Sequence, residues 1–350
     1  MDQSIYHINN IRETNEGVVE IHGEIPPAKL ASYLQKALEK FRSDLAVSGF
    51  RKGRAPDDIV KREVGEAAIL EEAARIALQD TAPRLLAERK VAPLAPPRIQ
   101  ITRLAPKQPV AFVVQIFTAP PLQLPDYRRI ARTVLEQQPS TEVTDEEVTQ
   151  ALTTLTKLYL SKTASSSKTA DEPKLPTDEI AQKMGPFKNV NDLREKVRQH
   201  LQQEKREGIK RQLRERIAAA LIEATTITLP EALIDEETEK TERDFEKYLK
   251  QSGTSLAEYL AHTKKTAEQV RQEHRDYVIR QLKARLIFEK IAEREHITVD
   301  DEEVAASAKL LQQRNPNQDP ELIRSYVRKV LTNEKVLQLL EQEKPDEKPE

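Results

Sequence analysis

The chain has 350 residues, a third of them charged, yet its formal net charge is only −2. That length admits two or three domains and a hydrophobic share of 38% allows real cores, while an aromatic share of 4% with no Trp suits long solvated helices better than one filled globule. The absence of Cys excludes disulfides and thiol chemistry, and near-neutral charge confines any contact with nucleic acid to a local patch.

The opening Met1-Asp2-Gln3-Ser4-Ile5-Tyr6 has neither a basic region nor an apolar run. Nothing later approaches the roughly 20 apolar residues of a membrane span, so a cytoplasmic protein without a membrane partner is expected. Residues 4–12 and 17–25 alternate apolar and polar around a turn near Asn15 and Gly17, which predicts paired strands. After Pro26-Pro27, Leu30, Leu34, Leu38, Phe41 and Leu45 recur at helical spacing to about Ala46, with Lys29, Lys36, Lys40 and Arg42 on the other side. This helix leads into Gly49-Phe50-Arg51-Lys52-Gly53-Arg54-Ala55-Pro56. Glycine frees the backbone there and proline stops the helix, so the segment reads as an exposed tip. Between Ala28 and Arg62 stand nine Lys or Arg against four Asp or Glu, a local positive excess centred on that tip. A phenylalanine held in water beside cations is unusual, because Phe normally goes inside; the arrangement suits docking on an acidic surface with an apolar dimple. Pro56 opens a short helix through Val64, a longer one runs from Glu66 towards Arg89 with Pro83 set to kink or divide it, and 98–104 and 109–117 alternate as a second pair of strands. The first 118 residues thus read as one small α+β domain.

Residues 119–144 carry Pro120, Pro121, Pro125 and Pro139 without a strong period, the pattern of an extended linker. Thr144 with Glu147 forms a capping box for a helix over 145–160, with Val148, Leu152, Leu155 and Leu158 on one face. Residues 161–176 are a low-complexity Ser, Thr and Lys linker, and 177–340 read as helix almost throughout: 178–184, 191–224, 230–251, 255–262, a helix of about thirty residues from Thr266, one capped by Thr298, and a last one opened by Pro320. Narrow stripes on long helices predict arms packed in pairs, with residues such as Leu310 and Val330 read as core. The charged, proline-containing 341–350 reads as a disordered tail. Chemistry is sparse. The histidines His7, His22, His200, His262, His274 and His296 show no ligand spacing, Asp300-Asp301 has the place of a helix start, and neither a phosphate-binding glycine loop nor a nucleophile motif occurs. No catalytic residue, metal or cofactor is expected.

Gly-Phe-Arg-Lys-Gly-basic-X-Pro between two helices resembles the ribosome-docking signature of the trigger factor family, with Ser48 where that family often has proline and Arg54 where it often has lysine. The order strands, helices with a basic tip, strands is similar to the family's ribosome-binding domain. The resemblance implies a multidomain α+β protein: an N-terminal α+β ribosome-binding domain, then an elongated all-α chaperone domain whose arms form a cradle. It implies Gly49, Phe50, Arg51, Lys52, Gly53 and Arg54 as the ribosome-binding residues. The implied partners are large-subunit protein and rRNA near the exit tunnel, together with nascent or unfolded polypeptides held without ATP; a weak homodimer stays open. Family members usually carry a peptidyl-prolyl isomerase domain, a fold that needs on the order of 80 residues. The linker at 161–176 has no room for one, so the expectation is a form lacking isomerase activity. Two alternatives stand beside this reading: an isomerase whose catalytic domain is unrecognised, and a helical holdase or scaffold acting away from the ribosome.

Overall fold

The computed structural model describes residues 5–45, 50–89, 91, 93–163 and 175–343. They form a multidomain α+β chain in two compact units, neither continuous in sequence. One comprises residues up to Gln123 together with Thr226–Leu286, the other Leu124–Thr225 together with Ile287 onward.

In the first unit β1 (His7–Glu13), β2 (Val18–Ile25), β3 (Arg98–Arg103) and β4 (Val110–Phe117) make an antiparallel sheet of order β1-β2-β4-β3. The period of two decides which face is covered: Val19, Ile21 and Ile25 of β2 and Val110, Phe112, Val114 and Ile116 of β4 are buried, while their alternates look outward. Gly23 lies opposite Phe112, and a Cβ on it would come 2.6 Å from the end of that ring, so the close ring-to-backbone approach requires glycine. Over the buried face lie α1 (Pro27–Asp44), α2 (Asp57–Val64) and α3 (Glu66–Arg89), which contribute Leu30, Tyr33, Ala37, Leu38, Val60, Ile69, Ala73, Ala74, Ala77, Leu78 and Leu85 to one core with the strands. Alanines on α3 let α1 come close, a packing that bulkier side chains would prevent. The Tyr6 hydroxyl donates to Glu88 at 2.6 Å, and burial with this contact pushes its pKa up to about 12. The same unit contains α8 (Glu231–Gln251), α9 (Leu256–Thr263) and the first part of α10 (Ala267–Arg294). Arg275 of α10 pairs with Glu231 and Asp235 of α8, and Phe245 meets Tyr259 and His274 edge-on at 5.0 and 5.1 Å. Arg98 of β3 reaches Glu236 at 2.8 Å and the Ala232 carbonyl at 3.2 Å, and Arg285 donates to the Leu94 carbonyl at 2.9 Å.

The second unit is helical: α4 (Tyr127–Glu136), α5 (Asp145–Thr163), α6 (Asp178–Met184), α7 (Val190–Glu223), the end of α10, α11 (Asp301–Arg314) and α12 (Pro320–Glu341). The 34-residue α7 is its spine, with α4, α5 and α6 packed on it. Two small cores are evident, Val148, Leu152, Ala181 and Leu193 between α5, α6 and α7, and Val304, Ala308, Ile323 and Val327 between α11 and α12. Arg214 ties α7 to α12 by a fork onto Glu334 at 2.7 and 2.8 Å and a bond to Glu341 at 2.5 Å. That contact holds the Glu334 carboxyl below its usual range.

Four expectations change. The linker expected to be extended over 119–144 contains α4, capped by the Asp126 carboxylate on the Arg129 N–H at 3.1 Å; its prolines all fall outside 127–136, and Tyr127, Ala131 and Val134 make a short buried stripe. Of the kink or division expected at Pro83, the division does not occur: α3 runs unbroken from Glu66 to Arg89, held by its buried alanine face. The cap of α11 is Asp300, accepting from the Glu302 N–H at 3.0 Å, rather than Thr298, whose carbonyl accepts from Lys335. Leu310 and Val330 are exposed, 66% and 47%, because among the described residues no other element covers that side of their helices. The capping box at Thr144 and Glu147 is present, with N–H to side-chain distances of 2.8 and 3.2 Å.

Candidate functional site

The sequence-expected tip is built from its base upward. Ala55 and Val60 are buried in the sheet-and-helix core, and Arg42 at the end of α1 pairs with Asp57 at the start of α2, so both ends of the loop are fastened. Behind it, Lys40 reaches Glu72 of α3 at 2.8 Å and Arg75 holds the same carboxylate at 2.6 and 2.9 Å. The Arg75 hydrogen bonds, helped by Lys40 against the cost of burial, pull Glu72 down to a pKa of about 2. On this base the chain turns, the Arg54 N–H donating to the Arg51 carbonyl at 2.9 Å with Gly53 at φ +80°. A left-handed residue at the third position of such a turn is what makes glycine necessary there. Phe50 is 43% exposed, and Arg51, Lys52, Gly53 and Arg54 are exposed beside it. Gly49, with Ser48 before it, lies outside the described residues.

Chemically this is an apolar anchor ringed by three cations on a fastened loop. Burying the ring against a partner is worth about 1.5–3 kcal/mol, and the cations supply attraction that salt weakens. The Arg42–Asp57 pair and the Ala55 anchor had no signal in the pattern, because both depend on two helix ends meeting.

A second surface, which helical spacing did not single out, lies on the α11–α12 pair. Leu322, Tyr326 and Val330 repeat every four residues along α12 and are 69%, 61% and 47% exposed, one position before the buried Ile323 and Val327. α12 therefore carries an apolar arc wider than its packing against α11 and α4 covers, and the surplus is left in water; Leu310 of α11 is exposed as well. The width of that arc was the available signal.

Among the described residues no group of three or more His, Cys, Asp or Glu is placed to hold a metal ion, and no helix is long and apolar enough to cross a membrane. Asp300 and Asp301 are accounted for by capping α11 and by the pair of Asp301 with Arg328 at 2.7 Å.

Comparison with known proteins finds one family along the chain. Residues 9–155 match the family described as Bacterial trigger factor protein (TF), and residues 189–344 match Bacterial trigger factor protein (TF) C-terminus. A protein named Trigger factor from Clostridium botulinum (strain Loch Maree / Type A3) is 22% identical over 422 aligned positions, covering 94% of this chain and 97% of its own. One of the same name from Clostridium kluyveri is 20% identical over 424 positions with the same coverage. A solved structure, from work on promiscuous substrate recognition in the folding and assembly activities of the trigger factor chaperone, superposes with a TM-score of 0.51. It covers 95% of this chain and 99% of that one at 17% identity, a likeness of fold.

Proposed function

We propose that this chain, which belongs to the bacterial trigger factor family, is an ATP-independent cytoplasmic chaperone that docks on the ribosome through its tip and holds nascent or unfolded polypeptide on exposed apolar helix faces, without prolyl isomerase activity. The observation that carries the docking part is Phe50, 43% exposed on a loop fastened at both ends and flanked by Arg51, Lys52 and Arg54. Large-subunit protein and rRNA near the exit tunnel offer the acidic groups and apolar hollows such a tip fits. In this reading the first 118 residues are the docking domain, 119–144 the connector, and 177–340 the body that meets clients.

Support for the missing isomerase comes from length. The two family matches leave only residues 156–188 between them, fewer than the roughly 40 below which a chain seldom folds alone without disulfides or metals. α5 and α6 occupy part of even that stretch. An alignment of 422 positions against a chain of 350 residues also leaves more than seventy positions of the relative without a counterpart here.

Two measurements test the reading. Phe50→Ala with Arg51→Ala and Lys52→Ala is expected to abolish co-sedimentation with ribosomes while leaving helical content unchanged, and wild-type binding is expected to weaken as salt rises. Unaltered pelleting of the triple variant refutes the tip assignment. Wild type that stays in the supernatant at low salt moves the protein off the ribosome. With a proline-containing model peptide, isomerisation is expected at the uncatalysed pace of tens to hundreds of seconds; clear acceleration would restore the enzyme reading.

A further inference from the structure

A cavity of about 360 Å³ opens in the first unit between α1, the α2–α3 junction and the turn that joins β3 to β4. Its floor is Leu34 and Leu38 of α1 with Ile69 and Leu70 of α3. All four belong to the sheet-and-helix core or pack against it, so the hollow is preformed. Its mouth is polar, with Lys61 from the last turn of α2, Glu66 from the first turn of α3, and Lys107 from the β3–β4 turn. We propose that this cavity binds a small amphiphilic carboxylate, a short acyl chain with one ionised head.

Size, charge and backbone each point to that ligand. A volume of about 360 Å³ lies at the low end of the range for small-molecule sites, too little for a folded partner. The lining of α1 runs from Ala31 to Leu38, about 10 Å of helix, so the hollow suits a chain laid along it better than a single compact ring. Among the described residues neither Lys61 nor Lys107 has a carboxylate partner, and Glu66 pairs with neither of them. Two cations and one carboxylate leave the mouth with a single net positive charge, which matches a singly charged head. A phosphate monoester, close to doubly charged at neutral pH, is disfavoured by Glu66, and a cationic head is repelled by both lysines. The backbone at Lys107 is the third sign. The Gln108 N–H donates to the Ala105 carbonyl at 3.3 Å, with Pro106 in the second place of the turn and Lys107 in the third at φ +60°. That place favours Gly or Asn, because most side chains are strained there. The other described non-glycine residues with positive φ, Lys264 and His296, close the ends of α9 and α10, where a left-handed residue completes the last turn. At Lys107 glycine would close the turn more easily, and what the lysine adds is a cation beside the hollow; strain of this kind marks ligand clamps.

Isothermal titration of the full-length protein compares octanoate with octylammonium and octyl phosphate, each below its micelle concentration. Octanoate is expected to bind saturably and at least about tenfold tighter than either of the others. Lys61→Glu with Lys107→Glu, both at exposed positions, is expected to weaken octanoate by about tenfold or more and to favour octylammonium. Lys107→Gly is expected to raise Tm while weakening octanoate severalfold, a pairing that a purely structural lysine would not give. Because the chain has no Trp, Gln35→Trp places a single indole at the mouth and leaves both lysines in place; its emission is expected to shift as octanoate saturates. The triple-alanine tip variant is expected to bind octanoate as wild type does, so this site stands or falls apart from ribosome docking. No saturable octanoate binding, equal binding of all three amphiphiles, or binding that the double lysine variant leaves unchanged overturns the proposal. So does tighter binding of octyl phosphate, which gives the mouth to a different head group.

Discussion

At the scale of single residues, the tip joins two opposite requirements. Phe50 is left in water, which costs nothing in the folded protein only because Ala55, Val60 and the Arg42–Asp57 pair already hold the loop without it. The docking role proposed for Phe50 and the stability contributed by Glu72 are therefore separable. Glu72 titrates far below its ordinary value of 4.5, near 2, because Arg75 and Lys40 bond its charged form. A carboxyl depressed on folding contributes stability that is complete above its unfolded value and is lost as pH falls towards its folded one. The α1–α3 packing is thus expected to weaken between pH about 4.5 and about 2. Urea midpoints measured across that window should fall for the wild type. Glu72→Gln should be less stable near neutrality and show a flatter acid limb; identical curves for both would remove Glu72 from the acid response.

At the scale of elements, α7 contains one weak point. Gly208 sits mid-helix, and a Cβ there would meet nothing within 4 Å, so neither a close approach nor a left-handed backbone calls for glycine. Gly208→Ala is expected to stabilise the second unit by about 0.5–1 kcal/mol, seen as a raised Tm; a lowered Tm would mean that α7 needs its freedom there. Legibility followed the same physics. The strands at 7–13, 18–25, 98–103 and 110–117 were readable because alternation reports a half-buried strand directly, and α1 and α7 because their stripes are long. α4 was hidden by the prolines around its ten residues. Leu310 and Val330 were misread as core because periodicity shows which residues share a face but not whether anything covers it. The exposure of Phe50, Arg51, Lys52, Gly53 and Arg54 was legible through their order between two helices, while the pairing that fastens the loop was not.

At the scale of the whole molecule, binding clients without ATP requires many weak contacts rather than one tight site, and the exposed arc of α12 has that character. Leu322→Ser with Tyr326→Ser and Val330→Ser is expected to reduce suppression of aggregation of a chemically unfolded model protein by severalfold, with Ile323 and Val327 still packing α11 on α12. Undiminished holding by that variant would assign clients elsewhere. The discontinuous first unit also bears on how the protein is itself made. Its central core is drawn from residues synthesised early, but Glu236 and the Ala232 carbonyl, which engage Arg98 on the edge strand β3, emerge more than a hundred residues later. At ordinary elongation rates roughly ten to thirty seconds separate completion of residue 123 from completion of residue 286. For that interval Arg98 on the edge strand β3 lacks the partners that engage it in the finished unit, and a strand edge is the feature through which strands recruit strangers. A protein proposed to guard other chains at the tunnel mouth thus completes its own first unit only after most of its length has been made.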